Sequence, residues 1–189
     1  METLGGVVDV MVGRASGLSR IDLTNGGFWI SFLGLALAGL VDASAYSITY
    51  AAHQFISQPT KLWFVFASLL IALIGYGASI LALYLLCRAP NEQANFIAAI
   101  ITNNWASAVV SVITFPLVIL STLIGSSEQF WGMVSVVLLG VMIAAGTNIL
   151  RFSLQIPIGR ALIYFAVTTM ISIICVQGLT QLAGFASPA

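Results

Sequence analysis

Apolar residues run through most of the chain in five long stretches, separated by short polar segments. Each stretch holds about 20 or more residues, the length that an α-helix needs to cross the roughly 30 Å hydrocarbon core of a bilayer. The pattern predicts an all-α polytopic membrane protein whose residues 1–189 form a single membrane domain. The predicted membrane spans are residues 28–50, 62–87, 105–124, 130–150 and 161–182.

The segment before the first span, residues 1–27, has a helical pattern instead of a continuous apolar run. Apolar side chains recur on one side of residues 2–20, and Glu2, Asp9 and Arg20 fall largely on the other. We expect a short amphipathic helix at the membrane interface, weakened by its glycines, and then a turn with a possible helix cap. These features are not typical of a secretory signal, so we expect the first span to serve as an uncleaved insertion signal.

Two adjacent amides, Asn103 and Asn104, precede Trp105 inside the third apolar stretch. A single helix over residues 94–124 would be about 46 Å long, well beyond the hydrocarbon thickness. We therefore expect the amides at the headgroup level, with Trp105 as an interfacial aromatic residue and the span beginning there. The alternative is that both amides are buried polar groups within the membrane.

The few basic residues predict the orientation of the chain. With the N-terminus in the cytoplasm, Lys61 is the only basic residue predicted on the outer side. This agrees with the usual excess of basic residues on the cytoplasmic side of membrane proteins. The C-terminus is then outside. The basic residues predicted on the cytoplasmic side are Arg14, Arg20, Arg88, Arg151 and Arg160.

Composition supports the membrane assignment and excludes several functions. Hydrophobic residues make up 60% of the chain and charged residues 6%, against about 25% charged in a typical soluble domain. The formal net charge is zero, which argues against nucleic acid as a partner. Cys87 and Cys175 lie in apolar runs and are expected to be packing residues. Neither a metal site, a cofactor motif nor a catalytic arrangement is predicted.

Asp42 lies well inside the first predicted span, where a carboxylate costs about 3 kcal/mol on insertion scales. It must face the bundle interior, be protonated or reach water. One hypothesis is an ion or proton site in which Asp42 pairs with Gln177 or Thr168 of another helix. The other is a structural hydrogen bond within the bundle. Asn103 and Asn104 are further candidates for such a polar site.

Two other features have weaker functional interpretations. Arg151 and Arg160 bracket the connection before the last span and could contact an anionic lipid headgroup, or serve only to fix topology. His53, the single histidine, follows the first span and is expected to be an interfacial residue. A lipid-modifying enzyme that uses His53 is the least favoured interpretation.

Three stretches carry a resemblance to a known family: "RIDLTNGGFWISF" at the first span, "NNW" followed by "ITFP" in the third, and "RFSLQIPIGRAL" between the last two. The layout resembles small bacterial proteins of the Yip1-like family, of the uncharacterised alphaproteobacterial type. The resemblance implies a five-helix fold, membrane-organising or partner-binding roles and a place in the bacterial cytoplasmic (inner) membrane. It supplies no catalytic residue.

The expected function is non-enzymatic: a scaffold or partner-binding subunit that contacts lipids and other membrane proteins, or further copies of itself, through helix faces rich in small residues. Gly75, Gly77 and Ser79 form one such face, and Gly140 with Ala144 forms another. The alternative is a transporter of a small molecule or ion that uses Asp42 and a helix kinked at Pro116.

Overall fold

The computed structural model describes residues 2–50, 59–88, 95–124 and 128–185. Within these ranges five helices are long and apolar enough to cross a membrane, and a short helix precedes them. The all-α, five-span class predicted from the sequence is confirmed. The helices are α1 (Glu2–Met11), α2 (Asn25–Thr49), α3 (Lys61–Arg88), α4 (Phe96–Ile124), α5 (Glu128–Leu154) and α6 (Ile158–Leu182), with a 3₁₀ helix at Ala15–Arg20 after α1.

The predicted turn before the first span contains the helix cap that its sequence suggested. The Thr24 hydroxyl accepts the backbone N–H of Gly27 at 3.2 Å, which satisfies one of the free donors at the start of α2. Asp22 in turn accepts the backbone N–H of Thr24 at 3.0 Å. Hydrogen bonds from the side chain and backbone of Thr24 hold the pKa of the Asp22 carboxyl below its usual value.

The N-terminal segment is a helical hairpin, not one helix over residues 2–20. Helix α1 ends at Met11, and Gly13 has a φ of 92°, a left-handed conformation that reverses the chain. The 3₁₀ helix then packs back on α1, and Gly6 and Gly17 approach so closely that neither position has room for a Cβ. Asp9 joins the two halves through ion pairs to Arg14 at 3.1 Å and Arg20 at 3.0 Å.

This hairpin packs on the bundle through α4 and α5. Val7 and Val10 are fully buried in a cluster with Ile101 and Ile149. The side-chain amide of Asn148 donates to the backbone oxygen of Met11 at 3.0 Å and ties the end of α1 to α5. The apolar side of α1 therefore packs against other helices of the protein.

Helix α4 begins at Phe96, nine residues before the predicted span, and continues through both amides without interruption. The helix is therefore already present before the predicted start of the span at Trp105. The placement of Asn103 and Asn104 at the membrane edge stays a prediction.

The five long helices form a ring. Helix α2 packs mainly on α4 and α3, α3 on α6, α6 on α5, and α5 on α4, in the circular order α2–α4–α5–α6–α3. At one end the Tyr164 hydroxyl of α6 donates to the backbone oxygen of Leu86 on α3, and at the other Phe64 of α3 packs on Phe185. The first of these ends carries the termini of α3 and α5 and the start of α6, together with all five arginines.

Candidate functional site

Asn104 is the largest fully buried polar side chain among the described residues, and it lies on the face of α4 that meets α2 and α3. It has no solvent exposure. Its side-chain oxygen accepts a hydrogen bond from the hydroxyl of Tyr76 on α3. Its side-chain nitrogen donates to the hydroxyl of Ser31 on α2 at 2.8 Å. One amide therefore joins three helices through its donor and its acceptor.

The α2 side of this junction depends on a close approach of two helices. Ser31 is fully buried, and its hydroxyl donates to the backbone oxygen of Phe28 at 2.6 Å while it accepts from Asn104. One turn further along α2, a Cβ placed on Gly34 would lie 2.9 Å from the backbone oxygen of Asn104. Only glycine lets α4 come this near, so Gly34 sets the spacing at which Ser31 and Asn104 can bond.

Asp42 opens onto a cavity of about 280 Å³ between α2, α3 and α4. We call this space the Asp42 cavity. Tyr76 lines it from α3, and Ser107 and Ser111 line it from α4. Ser111 lies on the α4 wall beside the Asp42 carboxyl. The cavity contains no lysine or arginine among its lining residues, so the carboxylate faces hydroxyl groups and open space.

The partners predicted for Asp42 lie elsewhere. Gln177 is exposed on α6 and does not line the Asp42 cavity. The Thr168 hydroxyl donates to backbone oxygens of its own helix, Tyr164 at 2.8 Å and Phe165 at 3.1 Å. Ser111 of α4 is the residue that the structure brings to Asp42, because α2 packs on α4 and not on α6.

Asn103 lines a second cavity of about 230 Å³, which we call the central cavity. This space lies inside the ring, between α3, α4, α5 and α6. Tyr76 lines it as well, so the tyrosine ring stands between the central cavity and the Asp42 cavity. The structure therefore brings Asp42, Asn103 and Asn104 to one polar region around Tyr76, and leaves Gln177 outside it.

Four members of this region were not singled out from the sequence: Ser31, Tyr76, Ser107 and Ser111. A signal for two of them exists, because Asn103, Ser107 and Ser111 follow one another at four-residue spacing and share a helix face. Ser31 and Tyr76 lie in ordinary apolar surroundings along the chain. Their role depends on which helices are neighbours in the ring.

The two arginines proposed for lipid contact flank the connection between α5 and α6. The guanidinium of Arg151 lies 4.9 Å from the centre of the Phe152 ring. Arg160 is exposed in the first turn of α6. Both lie at the arginine-bearing end of the bundle, where a headgroup contact would be made.

The described residues contain no group of three or more histidine, cysteine, aspartate or glutamate side chains that could hold a metal ion. Cys87 and Cys175 form no disulfide with each other, and Cys87 is fully buried among apolar residues. His53 lies outside the described residues. Pro116 lies inside α4, which continues past it for eight residues to Ile124.

The chain matches no protein-family description, no curated protein and no solved structure. The similarity to the Yip1-like family therefore stays a prediction that rests on the three sequence stretches alone.

Proposed function

We propose that this chain is a non-enzymatic integral membrane carrier that binds a monovalent cation, H⁺ or Na⁺, at Asp42. The observation that carries the proposal is the Asp42 carboxyl facing a cavity with hydroxyl groups and no basic side chain in its lining. A carboxylate within a membrane span must be protonated, paired or hydrated. A cation that enters the cavity supplies the missing positive charge.

The surroundings of Asp42 suit a small cation. Ser111, Ser107 and Tyr76 offer hydroxyl oxygens from two helices, and oxygen atoms are the ligands that hard cations prefer. Pro116 lies five residues beyond Ser111 on α4 and removes one backbone donor there. That missing hydrogen bond gives α4 a place to bend when the cavity changes its access between the two sides of the membrane.

The test uses the purified chain in sealed vesicles under an imposed H⁺ or Na⁺ gradient. Wild-type protein is expected to dissipate one of the gradients, and Asp42→Asn is expected to slow that flux at least tenfold. Asp22→Asn removes a carboxylate from the loop before α2 and is the matched control, with unchanged flux. Absence of flux in the wild type, or equal flux in Asp42→Asn, would exclude the carrier.

A second candidate is the scaffold or partner-binding subunit, which we propose on a different observation. Gly75 packs against Val176 and Ser172 of α6 and is used inside the bundle, whereas a Cβ placed on Gly77 or Gly140 would meet nothing within 4 Å. Gly140 and Ala144 are both exposed on α5, four residues apart, which is the spacing of small-residue helix contacts in membranes.

The scaffold proposal is tested by the recovery of complexes from mild detergent. Gly140→Ile is expected to release a partner membrane protein, or a second copy of this chain, that the wild type retains. Leu139→Ile, an exposed position on a different side of the same helix, is the control. Identical complexes from wild type and Gly140→Ile would exclude this face as the interface.

The orientation and the location are proposals of the same kind. The arginines at one end of the bundle support a cytoplasmic N-terminus in a bacterial inner membrane, with the C-terminus outside. Arg151 and Arg160 then face the cytoplasmic leaflet, where an anionic lipid headgroup is the partner that we propose for them. Reporter fusions at both termini test the orientation, and activity of a cytoplasmic reporter at the C-terminus would overturn it.

A further inference from the structure

The central cavity differs in chemistry from the Asp42 cavity, although Tyr76 lines both. Its walls carry no charged side chain. Its wall combines hydroxyl and amide groups with the apolar side chains of Ile80, Leu83 and Phe165. A space with these walls favours an uncharged molecule that has one polar end and an apolar body.

Four serine and threonine side chains of α3 and α6 line this cavity, and two of them are already hydrogen-bonded to the backbone. Ser79 donates to the backbone oxygen of Tyr76 at 2.8 Å, and Thr168 donates within α6. By contrast, the hydroxyls of Thr169 and Ser172 have no hydrogen-bond partner among the described residues. An unpaired hydroxyl inside a membrane protein lowers its free energy by bonding to water or to a ligand.

The volume bounds the size of that ligand. The central cavity measures about 230 Å³. An apolar cavity of about 150 Å³ holds one benzene, so by proportion the central cavity holds a ligand of about nine non-hydrogen atoms. The central cavity is smaller than the pockets that hold drug-sized ligands.

We propose that the central cavity is a binding site for a small, uncharged, amphipathic molecule, with Thr169 and Ser172 bonding its polar end and Phe165 packing on its apolar body. The site is separate from the cation site at Asp42 and does not depend on it. The Tyr76 ring forms the wall between them, and the Tyr76 hydroxyl is held in place by Asn104.

The test measures how fast a cysteine in the cavity is modified. Ile80→Cys, at an apolar position of the cavity wall, is made in the full chain with Cys87→Ala and Cys175→Ala. It is treated with N-ethylmaleimide, an uncharged reagent close in size to the proposed ligand. The probe is 4-fluorophenol, compared with the charged 4-fluorobenzylammonium and 4-fluorobenzoate. Ile174→Cys, on the exposed side of α6, is the reference position.

We expect 4-fluorophenol to slow modification of Ile80→Cys at least fivefold and saturably, and neither charged probe to do so. Modification of Ile174→Cys should not change. Equal slowing at both positions would show that the probe acts through the membrane alone and would overturn the inference. An unreactive Ile80→Cys, or one that no probe protects, would overturn it as well.

The second part of the test fills the central cavity with a larger side chain. Ser79→Leu places a larger apolar side chain in the cavity and is expected to abolish the protection, whereas Ala166→Leu, on the exposed side of α6, should preserve it. Protection that survives in Ser79→Leu with an unchanged melting temperature would contradict the site. Because the assay has no transport step and no cation, its failure and the failure of the carrier proposal are distinguishable.

Discussion

The hydroxyl of Tyr76 on α3 donates a hydrogen bond to the side-chain oxygen of Asn104 on α4. These helices share few other contacts, because the ring places α2 between them on one side and α5 and α6 between them on the other. The bond therefore reaches across the interior of the bundle, and Asn104 continues it to Ser31 on α2. This junction fixes the wall between the two cavities.

Removing either end of that bond should weaken the bundle. Tyr76→Phe and Asn104→Leu are each expected to lower the free energy of unfolding in bicelles by about 1 kcal/mol, the usual scale for a side-chain hydrogen bond between membrane helices. Since both changes remove one shared bond, the double variant should lose less than the two single losses added together.

Tyr84→Phe is the control for this cycle, because Tyr84 is on the same helix with an exposed ring that packs on Phe96. Tyr84→Phe should change the free energy of unfolding by no more than about 0.5 kcal/mol, as is usual for substitutions on the surface. Strictly additive losses for Tyr76→Phe and Asn104→Leu would show that the two side chains are not coupled.

The spacing between α2 and α4 gives a second prediction. Gly34→Ala adds a Cβ that would lie 2.9 Å from both the backbone oxygen of Asn104 and the Trp105 ring. The helices must separate, and we expect a loss of about 1 to 3 kcal/mol in the free energy of unfolding.

Gly39→Ala is a matched control on the same helix, because a Cβ there meets nothing within 4 Å. It should be neutral or slightly stabilising, since alanine is the better helix former. Equal losses from the two alanine variants would mean that helix propensity, and not the contact with α4, sets the effect.

The N-terminal hairpin gives a third prediction. Asp9→Asn removes the shared partner of Arg14 and Arg20, so amide hydrogen exchange over residues 7–20 should quicken. The change is expected to be small, about 0.5 kcal/mol, because the Arg14 side chain is 71% exposed and such pairs contribute little in water.

Glu2→Gln is the control, as it removes one negative charge from the first turn of the same helix. Added salt should shrink the difference between Asp9→Asn and the wild type, because salt screens exposed charges. A difference that persists undiminished in high salt would mean that the ion pairs are not its cause.

The sequence allowed the class, the five long apolar helices and the Thr24 cap to be predicted, because each depends on local length, composition or turn chemistry. The break after Met11 depends on the conformation of Gly13 and on the approach of Gly6 to Gly17, which local pattern does not show. The length argument placed the start of the third span at Trp105, but α4 begins at Phe96 and brings the amides inside a continuous helix.

The composition of the polar region was harder to predict because it depends on the circular order of the helices. Asp42 and the two amides stand out in apolar stretches, and the spacing of Ser107 and Ser111 could have been used with them. Tyr76 becomes important only because α3 faces Asn104 across the ring, and Gln177 loses importance only because its side of α6 is exposed. Neither orientation is encoded in a short stretch of sequence.

The most direct test of the central claim is the reaction of Asp42 with dicyclohexylcarbodiimide, a lipid-soluble reagent that modifies protonated carboxyl groups. We expect mass spectrometry to find the label on Asp42 in wild-type protein, to show less of it as the pH rises, and to find none on that peptide in Asp42→Asn. If Na⁺ is the bound cation, Na⁺ should also protect Asp42, whereas choline should not. A wild-type protein that stays unlabelled at Asp42 across the pH range would contradict a carboxyl open to cations within the bundle.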